Sequence, residues 1–163
     1  EHPEAMLAVE VIGRGFKVNR PFPEGELTGE MVTVELSELV AKRVTRVVVR
    51  DPNASEDDFI RMAHRLGLQG VSYFIGYTAW LDIAPSGVDK SYGLAAVCLD
   101  LNIDQADVLA LGDGRNDIEM LTWAGRGVAL GDAPAEVQAA ADHVTGLFAE
   151  GGTVEELLRW FPG

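Results

Sequence analysis

From residue 86 onward, short wholly apolar runs alternate with helical patterns, and that order leaves few folds open. The run Val108–Leu111 is apolar throughout, as a parallel strand covered on both faces must be. Gly127–Leu130 reads as a second such strand and His143–Thr145 as a third. Helices fill the intervals. One begins at the N-cap Asp89 and is predicted to bury Leu94, Val97, Cys98 and Leu101. Another spans about Asn116 to Ala124, and a third starts at Pro134 and runs through Val137 and Ala141. Val154, Leu157, Leu158 and Phe161 form the stripe of a closing amphipathic helix. Helix and strand alternating in this way predict a doubly wound parallel sheet, an α/β fold.

The first half is ordered differently. Leu7–Ile12 reads as a strand, continued by Phe16–Asn19 after a bend at Gly13–Gly15. Pro21, Pro23, Gly25 and Gly29 mark a loop, and Val47–Val49 lie in another strand. Ser55 with Asp58 resembles a capping box, Phe59, Met62, Ala63 and Leu66 share one helical face, and Gly67 ends the helix. Val71–Ile75 and Thr78–Ile83 are predicted to form a hairpin around Gly76–Tyr77. Strands flanking a single helix imply an antiparallel α+β layer. The boundary is placed near Pro85-Ser86-Gly87, giving units 1–85 and 86–163.

Composition narrows the function classes. The net charge of −13 argues against a nucleic-acid partner, because a phosphate backbone would be repelled. No apolar run is long enough to span a bilayer, so no membrane partner is expected. The single cysteine, Cys98, cannot form an internal disulfide and fits a reducing compartment; the expected location is the cytoplasm.

The segment richest in chemistry is Leu111-Gly112-Asp113-Gly114-Arg115-Asn116-Asp117. It joins a buried strand to a helix at the carboxyl end of the strand, where open α/β sheets bind ligands. Gly112 and Gly114 permit a tight turn and close approach of a ligand to the backbone. Asp113 and Asp117 set two carboxylates beside the Asn116 amide, hard oxygen ligands suited to Mg²⁺. A dinucleotide fingerprint would need a third glycine where Asp117 stands, and an EF-hand fails at Arg115 and Ala124. The same acids could serve only to cap the helix. Lys90 weighs against that plainer account. It opens a helix, where its charge opposes the macrodipole; taken alone it reads as a solvated surface lysine, but an ammonium aimed at a phosphate would explain its placement.

Lys90, followed some two dozen residues later by Gly-Asp-Gly-x-Asn-Asp, resembles the third and fourth motifs of the haloacid dehalogenase superfamily, most closely its Cof-type phosphatases. The similarity runs from Trp80 to Thr145 and includes Asp117-Ile118-Glu119-Met120-Leu121, Gly127-Val128-Ala129-Leu130-Gly131 and Ala140-Ala141-Asp142. It implies that residues 86–163 are the C-terminal half of a Rossmann-like catalytic core, preceded by a partial α+β antiparallel cap over 1–85. By the same resemblance Lys90 is catalytic, stabilising phosphate and nucleophile, and Asp113 is the direct Mg²⁺ ligand. Asp117 is the second acid, either near the metal or holding the loop, while Asn116 and Gly114 lie at the phosphoryl group. The family's Asp-x-Asp nucleophile motif does not occur before Lys90, and Asp57-Asp58 has neither its pattern nor its place.

The implied activity is Mg²⁺-dependent hydrolysis of a phosphomonoester through an aspartyl-phosphate, acting on a small phosphorylated metabolite such as a sugar phosphate. The isolated chain is expected to be inactive, and either to self-associate or to pair with a missing N-terminal segment. A phosphomutase on the same scaffold is the enzymatic alternative; a truncated, non-catalytic binding or interaction module is the alternative of another class. Tyr73, Tyr77, Trp80 and His64 are candidates for a cap surface facing substrate, although aromatic packing would account for each.

Overall fold

The computed structural model describes residues 4–68, 71–76 and 80–162. His2 and the expected hairpin residues Tyr77 and Thr78 lie outside them. The chain divides into two compact units, Glu1–Gly87 and Val88–Gly163. Among the described residues no helix is long and apolar enough to cross a membrane.

The first unit contains β1 (Met6–Val11), β2 (Gly15–Val18), β3 (Glu30–Thr33), α1 (Leu36–Leu39), β4 (Val47–Arg50), α2 (Glu56–Leu66), β5 (Val71–Gly76) and β6 (Trp80–Pro85). These strands form one sheet in the order β3-β2-β1-β4-β6-β5, antiparallel except for the parallel pair β2–β3. The β3 strand lies outside the pattern expected from sequence because all four of its residues are exposed, so no burial period marks it. It approaches β2 closely. A Cβ on Gly15, whose φ is +147°, would sit 2.1 Å from the Glu30 carbonyl oxygen, which reserves that position for glycine.

Strand alternation gives the sheet two apolar faces. One gathers Met6, Ala8, Phe16, Val18 and Val48 with Phe22 and Leu27 from the proline-rich loop. Trp80 packs there, its ring 6.0 Å from that of Phe22 at 79°. Leu81 and Ile83 face the other way, against Phe59 of α2. Helix α2 starts at Ser55 with a full capping box to Asp58 and ends at Gly67 in the left-handed region, as the sequence predicts.

The second unit contains α3 (Lys90–Leu101), β7 (Leu109–Gly112), α4 (Ile118–Trp123), β8 (Arg126–Ala129), α5 (Ala135–Ala140), β9 (His143–Val144) and α6 (Gly152–Trp160). The strands are parallel in the order β7-β8-β9, which leaves β7 at an edge. Ala110, Ala129, Leu121 and Val137 form the centre of the core between strands and helices.

Two helices depart from their expected burial. On α3 only Cys98 is buried, while Val97 and Leu101 are 52% and 64% exposed. On α6 the stripe Val154, Leu157, Leu158 and Phe161 is 37–71% exposed, and Gly152 and Glu156 are buried instead. The 3.6-residue period correctly marks an apolar face but says nothing of whether an element covers it.

Glu156, 1% exposed, receives Arg126 of β8 through Nε at 2.7 Å and Nη2 at 3.2 Å, and the Trp160 Nε1 at 3.0 Å. The Arg126 hydrogen bonds hold the Glu156 carboxyl down at about 2, against an ordinary 4.5, despite its burial. A depressed carboxyl adds stability that is complete above its ordinary pKa and is lost as pH falls through the folded value, here between 4.5 and about 2. Arg126 keeps 26% exposure, so replacing Glu156 with Gln should cost somewhat less than the loss of a fully buried pair, about 2 kcal/mol at neutral pH. Denaturant melts at pH 7 and pH 2 check this: the gap between wild type and Glu156→Gln should close at the lower pH. A gap that persists unchanged there would show that the pair contributes through shape rather than charge.

Candidate functional site

The chain leaves β7 at Gly112, turns through Asp113 and Gly114, and enters α4 by a 3₁₀ turn over Arg115–Asp117. The loop therefore sits at the carboxyl end of a parallel strand. Asp117 organises it. Its side chain is 4% exposed, and Oδ2 accepts the backbone N–H groups of Asp113 and Gly114, both at 3.0 Å. The Lys90 ammonium donates to Oδ1 of the same carboxylate. Gly112 makes room for this arrangement: a Cβ there would lie 2.5 Å from the Asp117 Cβ.

Lys90 is the first residue of α3, directly after Asp89, whose carboxylate accepts the Tyr92 N–H at 3.0 Å. Pairing with Asp117 offsets the unfavourable placement of a cation in a first helical turn. The lysine side chain remains 48% exposed, so the ammonium can donate to a further anion. The structure thus brings together Lys90, Asp113, Gly114, Asn116 and Asp117, residues up to 27 positions apart.

Their environments differ. Asp113 is exposed, and its carboxylate has no hydrogen-bond partner among the described residues. The Gly114 N–H is committed to Asp117. Asn116 is half-buried beside the loop. Arg115 is drawn outward to Glu136 of α5 at 2.6 Å. Among the described residues no group of three or more His, Cys, Asp or Glu side chains could by itself hold a metal ion.

In the first unit the expected cap residues separate. Trp80 is a packing residue of the apolar cluster, whereas Tyr73 is 45% exposed and His64 is exposed on α2. Sequence reasoning passed over Lys42 and Arg43, which stand together at the rim of a cavity in this unit. Two consecutive cations in a strongly acidic chain were the available signal.

The model of the haloacid dehalogenase-like hydrolases matches residues 27–157. An HMP-PP phosphatase from Cronobacter sakazakii is 32% identical over 129 residues, covering 77% of this chain and 47% of the relative. A solved sugar phosphatase of subclass IIB of that superfamily superposes with a TM-score of 0.78 at 23% identity, covering 98% of this chain and 61% of that one. A phosphatase of the same superfamily from Bacteroides thetaiotaomicron gives 0.70 at 27% identity, covering 97% and 59%. The chain therefore spans about half the length of that curated relative and about six tenths of the solved structures. With a family match over most of its length, in agreement with the Cof-type pattern of Lys90 and the Gly-Asp-Gly loop, the chain belongs to the haloacid dehalogenase-like hydrolase family.

Proposed function

We propose that the chain supplies the lysine and a metal-binding carboxylate of a Mg²⁺-dependent phosphomonoester hydrolase acting on a small phosphorylated metabolite such as a sugar phosphate. The observation that carries this reading is the division of labour between the two aspartates. Asp117 is buried and occupied on both oxygens, so it fixes Lys90 and the loop, while Asp113 is left free at the strand's carboxyl end.

Asp113 fits a magnesium ion, which takes one or two carboxylates and completes its octahedron with water and substrate phosphate. When bound there, the ion would supply charge stabilisation to the phosphoryl oxygens. Lys90 would donate to a non-bridging phosphoryl oxygen as negative charge builds, without giving up its hold on Asp117. The Asn116 amide, whose Oδ1 lies against Gly114 in the same loop, would help to orient that group. In this scheme an aspartate carboxylate outside these 163 residues attacks phosphorus and displaces the alcohol. Water then cleaves the aspartyl-phosphate to inorganic phosphate. The first unit would act as the cap, with Tyr73 and His64 as its exposed candidates. The lone cysteine accords with a cytoplasmic setting.

The free edge of β7 and the uncovered stripes of α3 and α6 support pairing with further chain or with a second copy. Sedimentation and isothermal titration of the purified chain test both parts of the reading. The expected result is an associated species that binds Mg²⁺ only in the ~millimolar range, because Asp113 alone provides a free carboxylate. A monomer binding Mg²⁺ at micromolar concentration would overturn it.

A further inference from the structure

The first unit contains a cavity of about 480 Å³ that the phosphoryl chemistry leaves unassigned. Its volume lies within the range of small-molecule sites. The floor is apolar: Val9 of β1 and Leu39 of α1 are 7% and 3% exposed, and Ile12, 75% exposed, presents open apolar surface beside them. The rim is charged, and the state of each charge decides what the cavity can hold. Glu38 is bound by Lys17 at 2.5 Å, and Glu10 accepts the Thr45 hydroxyl at 3.0 Å. Lys17 thus neutralises Glu38, whereas Glu10 keeps its charge and is outnumbered by the two cations Lys42 and Arg43. Lys42 and Arg43 are exposed and have no ion-pair or hydrogen-bond partner among the described residues. In a chain of net charge −13, two adjacent cations without carboxylate partners stand over an apolar floor.

From this arrangement we infer that the cavity binds a small organic oxyanion, its phosphate or carboxylate group on Lys42 and Arg43 and its apolar body against Ile12 and Val44. Arg43 can grip two oxygens of such a group through its planar fork, and Lys42 adds a point charge. The floor discriminates against a bare inorganic anion, which would leave the apolar surface uncovered. This inference is independent of the phosphatase reading, since none of its residues takes part in that chemistry.

Amide chemical shifts of the purified chain test it, with phenyl phosphate, benzoate, inorganic phosphate and phenol as probes. Phenyl phosphate should give saturable shifts at residues 9–12 and 41–45. Inorganic phosphate and phenol should each bind several-fold more weakly, for want of the floor and the rim contact respectively. A comparable response to benzoate would identify a general oxyanion site, and a response to phenyl phosphate alone one selective for phosphate. The double variant Lys42→Ser/Arg43→Ser alters exposed side chains and should leave other amides in place. It should weaken phenyl phosphate roughly tenfold or more, the loss expected on removing charge-assisted hydrogen bonds. Equal binding by the double variant, or equal binding of phenol, would overturn the proposal. Shifts confined to Gly112–Asn116 would also overturn it while leaving the phosphoryl-transfer site standing.

Discussion

The purified 163-residue chain should release no measurable phosphate from a sugar phosphate, even with saturating Mg²⁺. Phosphoryl transfer by an aspartate requires a carboxylate free to approach phosphorus in line with the leaving oxygen. At the Gly-Asp-Gly loop there are two candidates. Asp117 is almost fully buried and holds two backbone N–H groups and the Lys90 ammonium, so an attack would dismantle the loop that it supports. Asp113 is accessible, but in the proposed scheme its free carboxylate is committed to the metal ion and not to attack on phosphorus. No Asp-x-Asp pattern precedes Lys90 to supply another. Removing a nucleophile lowers turnover by about 10³-fold or more, which places residual activity below detection. Continuous phosphate-release assays over a panel of sugar phosphates check this. Mg²⁺-dependent turnover that survives repurification and disappears in Asp113→Asn would show that the nucleophile lies within these residues.

Local signals in the sequence were strong wherever one residue dictates one backbone state. Ser55 with Asp58, Gly67 and Asp89 each marked a helix end found in the structure. The wholly apolar runs marked β7 and β8, because a strand covered on both faces leaves no polar alternation. The loop between β7 and α4 was visible from its glycines and acids. What escaped was set by long-range neighbours. β3 pairs in parallel with β2 through exposed residues, so neither its burial nor its direction is written locally. Phe22 and Leu27 read as loop residues, yet they fill the core beneath Val48. Glu156 sits among apolar positions on α6 and is the residue that docks the helix, because Arg126 waits on β8 thirty positions earlier. The division of roles between Asp113 and Asp117 was likewise hidden. Both are acids at one rim in sequence, and only the distances to Lys90 and the loop amides separate them.

Replacing Asp117 with Ala should destabilise the second unit by about 3–4 kcal/mol, among the largest effects of any single substitution in it. Three donors lose their acceptor at once. The N–H groups of Asp113 and Gly114 are left facing a space closed by Gly112, and Lys90 loses the charge that offsets its position in the first turn of α3. The two loop N–H groups are part-buried, so each loses about 1 kcal/mol. Removing one side of a fully buried ion pair costs about 3–5 kcal/mol, but Lys90 is half-exposed and recovers hydration, which cuts its share to about 1–2 kcal/mol. Asp117→Asn separates the contributions. An amide oxygen can still accept both loop N–H groups, but the NH₂ or a neutral oxygen then faces the ammonium, so about half of the loss should remain. Lys90→Met combined with Asp117→Asn should then cost less than Lys90→Met in the wild type, since the charge pair is already gone; a double-mutant cycle measures that coupling directly. Asp113→Asn provides the contrast. Its carboxylate supports nothing among the described residues, so stability should stay within about 0.5 kcal/mol of wild type. Denaturant melts of these variants distinguish the roles: if Asp113→Asn proves as costly as Asp117→Ala, the two carboxylates share the structural task, and Asp113 is not free to serve a metal.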